Sequence, residues 1–160
     1  MINIFHAIGK AVYSAQLFET VLTPVFEIYK IKTKPGYLEK TQGYISNGAF
    51  KVPISSVVKE LAKSEDISPD LEERLNTYSE KRHQLIHRWI LENGSSVNEL
   101  DETNQKLYKL ATEVDKDANE LCKLFTGYLL KYAEPKWAEE NPEIDSMKMR
   151  DLFKDINNDN

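Results

Sequence analysis

Apolar residues recur along this chain at helical spacing, with little of the alternation that marks strands. From Asn3 to about Lys30, Phe5, Ile8, Val12, Ala15, Leu22 and Phe26 fall on one stripe, which predicts a first helix with those residues inward. Pro24 removes a backbone donor there, so a bend is expected. Glu19 falls in the middle of the same apolar stripe.

The segment Lys30 to Gly36 (KIKTKPG) reads as a basic, solvated turn. Tyr37 to Gly48 predicts a short helix ended by Asn47-Gly48. Pro53 to Lys63 predicts another, with Ile54, Val57, Val58 and Leu61 inward. The next helix has clear ends. Ser68 suits the N-cap, Pro69 the first helical position, and Asp70, Glu72 and Glu73 the positive helix start. Asn93-Gly94 is a stop signal, so this helix is expected from about Pro69 to Glu92. Asn98 to Ala133 predicts one long helix on the period of Leu100, Leu107, Leu110, Val114, Leu121, Leu124 and Tyr128, ended by Pro135. The fold class is therefore all-α, a bundle of four to five helices. Residues 1–134 are read as one domain and 135–160 as an acidic C-terminal extension, partly ordered.

Composition narrows the function classes. The chain has 160 residues, 41% apolar and 29% charged, the balance of a globular domain. A net charge of -5 argues against broad coating of nucleic acid but leaves room for a local anion site. One cysteine, Cys122, excludes an internal disulfide, suits a reducing compartment, and reads as a small apolar residue. Met1 to Ala15 has no basic leader region and is interrupted by His6 and Lys10, so it reads as mature protein. No stretch approaches the length of a membrane span, and a cytoplasmic location without membrane contact is expected.

The chemistry concentrates in Glu80 to Trp89 (EKRHQLIHRW), which holds two of the three histidines. Leu71, Leu75, Tyr78, Leu85, Ile86 and Trp89 form the inward stripe of their helix, and Arg82 falls near its centre. Arginine is rarely buried without a partner. It can pair with a carboxylate, bind an anion in a cleft, or meet a second chain. Glu19, inward on its own helix, is the candidate partner. His83 and His87 share a face four residues apart, a spacing that can bind a metal, but no third ligand follows at a matching spacing. The pattern calls for no metal and no cofactor. On a straight helix Arg82 and His87 point about 140° apart and ~7.5 Å along the axis. They can meet on one small ligand if the helix is irregular there, or if two copies meet about a two-fold axis.

Arg82-His83-Gln84-Leu85-Ile86-His87 resembles the arginine–x4–histidine motif of the HEPN superfamily, with His83 in the polar place and Leu85-Ile86 as the apolar pair. Ala15-Gln16-Leu17-Phe18-Glu19 is similar to the first helix of such domains, where a glutamate often faces inward. The likeness covers roughly Asn3 to Ala133. It implies a homodimer with a composite cleft and metal-independent endoribonuclease activity of toxin or defence type, with a cognate antitoxin as a further possible partner. By position, Arg82 would hold the scissile phosphate, His87 would be the general acid or base, His83 would orient or support, and Glu19 would be structural. The alternative is a non-catalytic dimerisation or interaction module in which Arg82 pairs with Glu19. A helical metal- or nucleotide-handling bundle is a third reading, and lacks acidic ligand pairs inside a stripe.

Around the motif, Lys81, Arg82 and Arg88, with Lys30, Lys32 and Lys34, could form a basic rim for one RNA strand. The tyrosines and tryptophans read mainly as core or half-buried, with base stacking as the other use of such rings. Asp101, Glu102, Glu113, Asp115, Asp117 and Glu120 read as a solvated helix face.

Overall fold

A computed structural model of the chain describes residues 3–63, 67–95 and 102–133. All regular elements among them are helical. Helix α1 is Ile4–Thr33, α2 Tyr37–Thr41, α3 Ile54–Lys63, α4 Pro69–His83, α5 Trp89–Asn93 and α6 Glu102–Ala133. A single 3-10 turn, Ala49–Lys51, precedes α3. Only Tyr37–Thr41 of the short helix expected up to Gly48 is formed. Leu100, Asp101 and the acidic extension lie outside the described residues.

The helix ends follow their sequence signals. Asn3 Oδ1 caps α1 by accepting from the His6 amide, and Ser68 Oγ accepts from the Leu71 amide at the start of α4. Pro24 lies inside α1 and does not end it. It costs the Thr20 carbonyl its helical donor, while the Thr23 hydroxyl bonds back to the Glu19 carbonyl at 3.1 Å.

Two long helices form the frame. Ser14 meets Asp115 and Phe18 meets Phe125, so α1 and α6 run in the same direction. Arg74 meets Glu120 and Lys81 meets Glu113 and Asp117, so α4 runs opposite to α6. The α1–α6 seam is built from small residues. Ala11, Ala111 and Ala118 are fully buried and Ala15 nearly so. Minimal side chains at the contact let the two backbones approach closely. This explains why the inward residues of α1 are Ile4, Ala7, Ala11, Ala15, Phe18 and Leu22. The predicted stripe was one position out of phase at its start: Ile8 and Val12 flank the seam, and Phe5 is exposed.

Phe18 is the point where three helices meet. Its ring packs edge-on against Tyr78 of α4 and Phe125 of α6, with centroids 5.4 Å apart in each pair. Such pairs add about 0.5–1.5 kcal/mol each beyond the area they bury. The cluster fixes α1 and α4 immediately beside Glu19 and Arg82.

A second polar anchor ties down the end of α1. The buried Glu27 carboxylate accepts from Lys30 Nζ at 2.5 Å and from Tyr37 Oη at 2.6 Å. The Lys30 ammonium also lies over the Phe26 and Tyr37 rings. Burial alone would lower the Lys30 ammonium, but its bonds to Glu27 and Tyr37 outweigh burial and hold it above the usual lysine value. Lys34 bonds to Glu60. The expected basic turn is thus an ion-paired joint rather than a free patch. Among the described residues, no helix is long and apolar enough to cross a membrane.

Candidate functional site

The helix of the EKRHQLIHRW stretch is not regular. After His83 the backbone widens into a π-helical turn, Gln84–Arg88, closed by the Trp89 amide bonding to the Gln84 carbonyl. A π turn closes i to i+5, so residues five apart come nearer to one face than they would on an α-helix. The widened segment begins two residues after Arg82 and includes His87, and these are the two positions that a straight helix would splay. The extra residue also changes what faces inward. Leu85 stays buried and Trp89 packs against the core, but Ile86, predicted inward, is exposed.

Arg82 and Glu19 form the ion pair that their stripe positions suggested, with Arg82 Nη2 2.6 Å from Glu19 Oε1. The pair is half-buried, with the two side chains 28% and 33% exposed. It is a contact of charges rather than a bidentate fork, since Glu19 Oε1 receives no well-directed hydrogen bond and Arg82 Nε is buried without one. Beneath the pair lies Tyr78, one helical turn before Arg82 and 1% exposed. Its hydroxyl is also buried without a hydrogen bond. Burial, reinforced by the Glu19 and Asp117 carboxylates and opposed by Arg82, pushes the phenol well above the usual tyrosine range. Tyr78 therefore stays protonated beside the pair. Three buried polar atoms on two helices with unused bonding capacity distinguish this place from an ordinary core ion pair.

Glu19 and Arg82 open on a cleft of about 400 Å³. Glu19, Arg82 and His83 line one side, and Lys51 of the 3-10 turn, Pro53 and Ser55 at the start of α3 line the other. His83 thus shares a cleft with Arg82. His87 lies outside the lining, and its ring packs against His83 with centroids 5.3 Å apart. Both histidines are exposed. Arg82, His83 and His87 therefore form a continuous series from the half-buried ion pair to the surface. Among the described residues, no group of three or more His, Cys, Asp or Glu side chains is arranged to hold a metal ion.

The expected basic rim is not free. Lys81 pairs with Glu113 and Asp117 at 3.2 and 3.1 Å, and Arg88 lies 3.6 Å from Glu92. Burial alone would lower the Lys81 ammonium, but its bonds to Asp117 and Glu113 outweigh burial and raise it. The acidic face of α6 is correspondingly less solvated than its pattern suggests, since Glu113, Asp117 and Glu120 all carry ion pairs. Lys51 enters the cleft instead, from a segment where the sequence has no motif. Tyr78 was legible only as a core aromatic. Its spacing of four from Arg82 was the available sign that its hydroxyl would reach the same place. Cys122 is half-buried against the core.

No family model, curated protein or solved structure matches the chain.

Proposed function

We propose that the protein is a HEPN-like, metal-independent endoribonuclease that acts as a homodimer. The observation that carries this reading is the π-helical turn that follows Arg82 and includes His87. Irregular turns of this kind are frequent at functional sites, and this one reduces the angular separation that would keep the two side chains apart.

In this reading Arg82 holds the scissile phosphate and stabilises its added negative charge. His87 takes the proton of the 2′-hydroxyl as that oxygen bonds to phosphorus, the P–O5′ bond breaks, and the leaving 5′-oxygen takes a proton from water. The products are a 2′,3′-cyclic phosphate and a 5′-hydroxyl. His83, between the two, supports and orients. Histidine suits proton transfer near neutral pH. Glu19 sets the position of Arg82 through its ion pair. Support for a second copy comes from Ile86, Ile90 and Leu91, which leave a run of exposed apolar side chains beside His87.

The test is cleavage of a mixed RNA substrate in EDTA by wild type, His87→Ala and Arg82→Lys. Cyclic-phosphate ends from wild type, lost in both variants at matched folding, are the expected result. A well-folded wild type that cleaves nothing would overturn the enzyme. It would favour the second reading, a helical interaction module, whose supporting observation is the Glu19–Arg82 pair itself.

A further inference from the structure

Phe5 and Tyr13 lie on one stripe of α1, 69% and 68% exposed. Gly9 stands midway between them, four residues from each. The helix at Gly9 is right-handed, and a Cβ added there would meet nothing within 4 Å. Glycine inside a helix is less stable than alanine. Here neither a positive φ nor a close neighbour within the chain calls for it. What Gly9 does is keep bare backbone between two exposed rings that stand about 12 Å apart along the axis.

That gap is the mouth of a groove of about 630 Å³ between α1 and α6. Its floor is polar and rigid. The buried Ser14 hydroxyl donates to Asp115 Oδ1 at 2.5 Å. Asn119 Nδ2 donates to the Asp115 carbonyl at 2.7 Å and to Ser14 Oγ at 3.1 Å. Asp115 Oδ2 takes no part in these bonds, so a fixed carboxylate keeps an acceptor available. On the rim, His6 and Lys10 are exposed on the turn beside the rings.

We infer that this groove is a nucleotide-binding site. A nucleobase lies over Gly9 against the Phe5 and Tyr13 rings, gives its exocyclic amino group to Asp115, and has its phosphate on Lys10 and His6. Stacking faces, a fixed acceptor and adjacent side chains that can donate to phosphate are the combination that such a ligand uses. The site does not depend on the reading of Arg82. A free nucleotide and a base within a single strand share this chemistry.

The test is titration of the full chain with a single-stranded pentaribonucleotide containing 2-aminopurine, with AMP as competitor, at low salt. The expected result is quenching of the probe, with affinity lowered about tenfold by Phe5→Ala or Tyr13→Ala. Gly9→Leu abolishes quenching while the thermal midpoint rises, because the helix gains a better former. Competition by AMP identifies a free-nucleotide site, and its absence a strand site. Wild type that does not quench the probe overturns the inference. So does quenching that survives Gly9→Leu and both alanine variants, or that is lost in Arg82→Ala but kept in Tyr13→Ala. Phe5→Ala or Tyr13→Ala that dissociates a dimer and leaves quenching intact also overturns it, assigning the rings to a contact between copies.

Discussion

Arg82 reaches Glu19 with one guanidinium nitrogen at 2.6 Å and leaves its Nε buried without a partner. The pair joins α4 to α1 while using only part of the arginine's donor capacity, because a guanidinium carries five N–H groups. Each partner left alone would face a half-buried, uncompensated charge. Glu19→Gln and Arg82→Met are each expected to destabilise by about 1–2 kcal/mol. The double variant should lose less than the sum of the two, by about 0.5 kcal/mol or more. A urea-denaturation double-mutant cycle measures this. Strict additivity would show that the pair contributes no coupling.

Tyr78 gives a prediction of opposite sign. Its hydroxyl is buried without a hydrogen bond, so Tyr78→Phe removes an unpaid desolvation cost while keeping the ring between Phe18 and its neighbours. The variant should match or exceed wild type by up to about 1 kcal/mol at pH 7. Its alkaline behaviour should also differ. The folded phenol holds its proton above the ordinary value of 10.0. The unfolded chain loses that proton first, so stability is fully present below pH 10 and falls as pH rises beyond it. The slope from this group is up to about 1.4 kcal/mol per pH unit. Lys30 and Lys81, also raised, add a decline of the same sign. The difference between wild type and Tyr78→Phe, followed by chemical denaturation from pH 9 to 11, isolates the Tyr78 share.

Much of the architecture was legible because helix ends are written in local chemistry. Ser68 caps where its side chain can accept, and Pro69 starts α4 as its fixed φ allows. The Glu19–Arg82 pair was legible too, since a charge on each of two apolar stripes demands a partner. Three things were not. The phase of α1 was misread because alanine carries little hydrophobic signal, yet Ala7 and Ala11 are buried and Phe5 is exposed. The π turn leaves no residue signature, and with it the outward turn of Ile86 was hidden. The cleft wall from Lys51 to Ser55 depends on how α3 packs against α4, a tertiary fact absent from any local pattern.

The π turn makes the motif sensitive to length. Deleting Ile86 removes the extra residue and should restore an uninterrupted α-helix from α4 into α5. Circular dichroism should show helicity unchanged or raised. The deletion leaves Arg82 and His87 four positions apart on one face of an α-helix, so a cleavage rate that falls by at least tenfold shows that the widened backbone itself, and not only a shared face, is needed for the proposed chemistry. A deletion variant that folds and cleaves at the wild-type rate would remove the turn from the mechanism.

Ile90 and Leu91 are exposed beside the histidines. Ile90→Lys with Leu91→Lys should therefore leave thermal stability within about 0.5 kcal/mol of wild type, as expected for surface positions. In the dimeric reading the same variant shifts the sedimentation profile from dimer to monomer at micromolar protein. An unchanged profile would show that copies of the chain do not associate through this surface.

Helix α1 carries both Gly9, in the groove, and Glu19, in the cleft, and Pro24 comes after both. Ten residues of unbroken helix separate them, about 15 Å along the axis and roughly a quarter turn around it. The alanine seam holds this segment against α6, so that offset is a fixed length. The first helix is thus a ruler with a mark at each end. Any molecule that engages both places must match its span, and one that is too short can occupy either mark but not both.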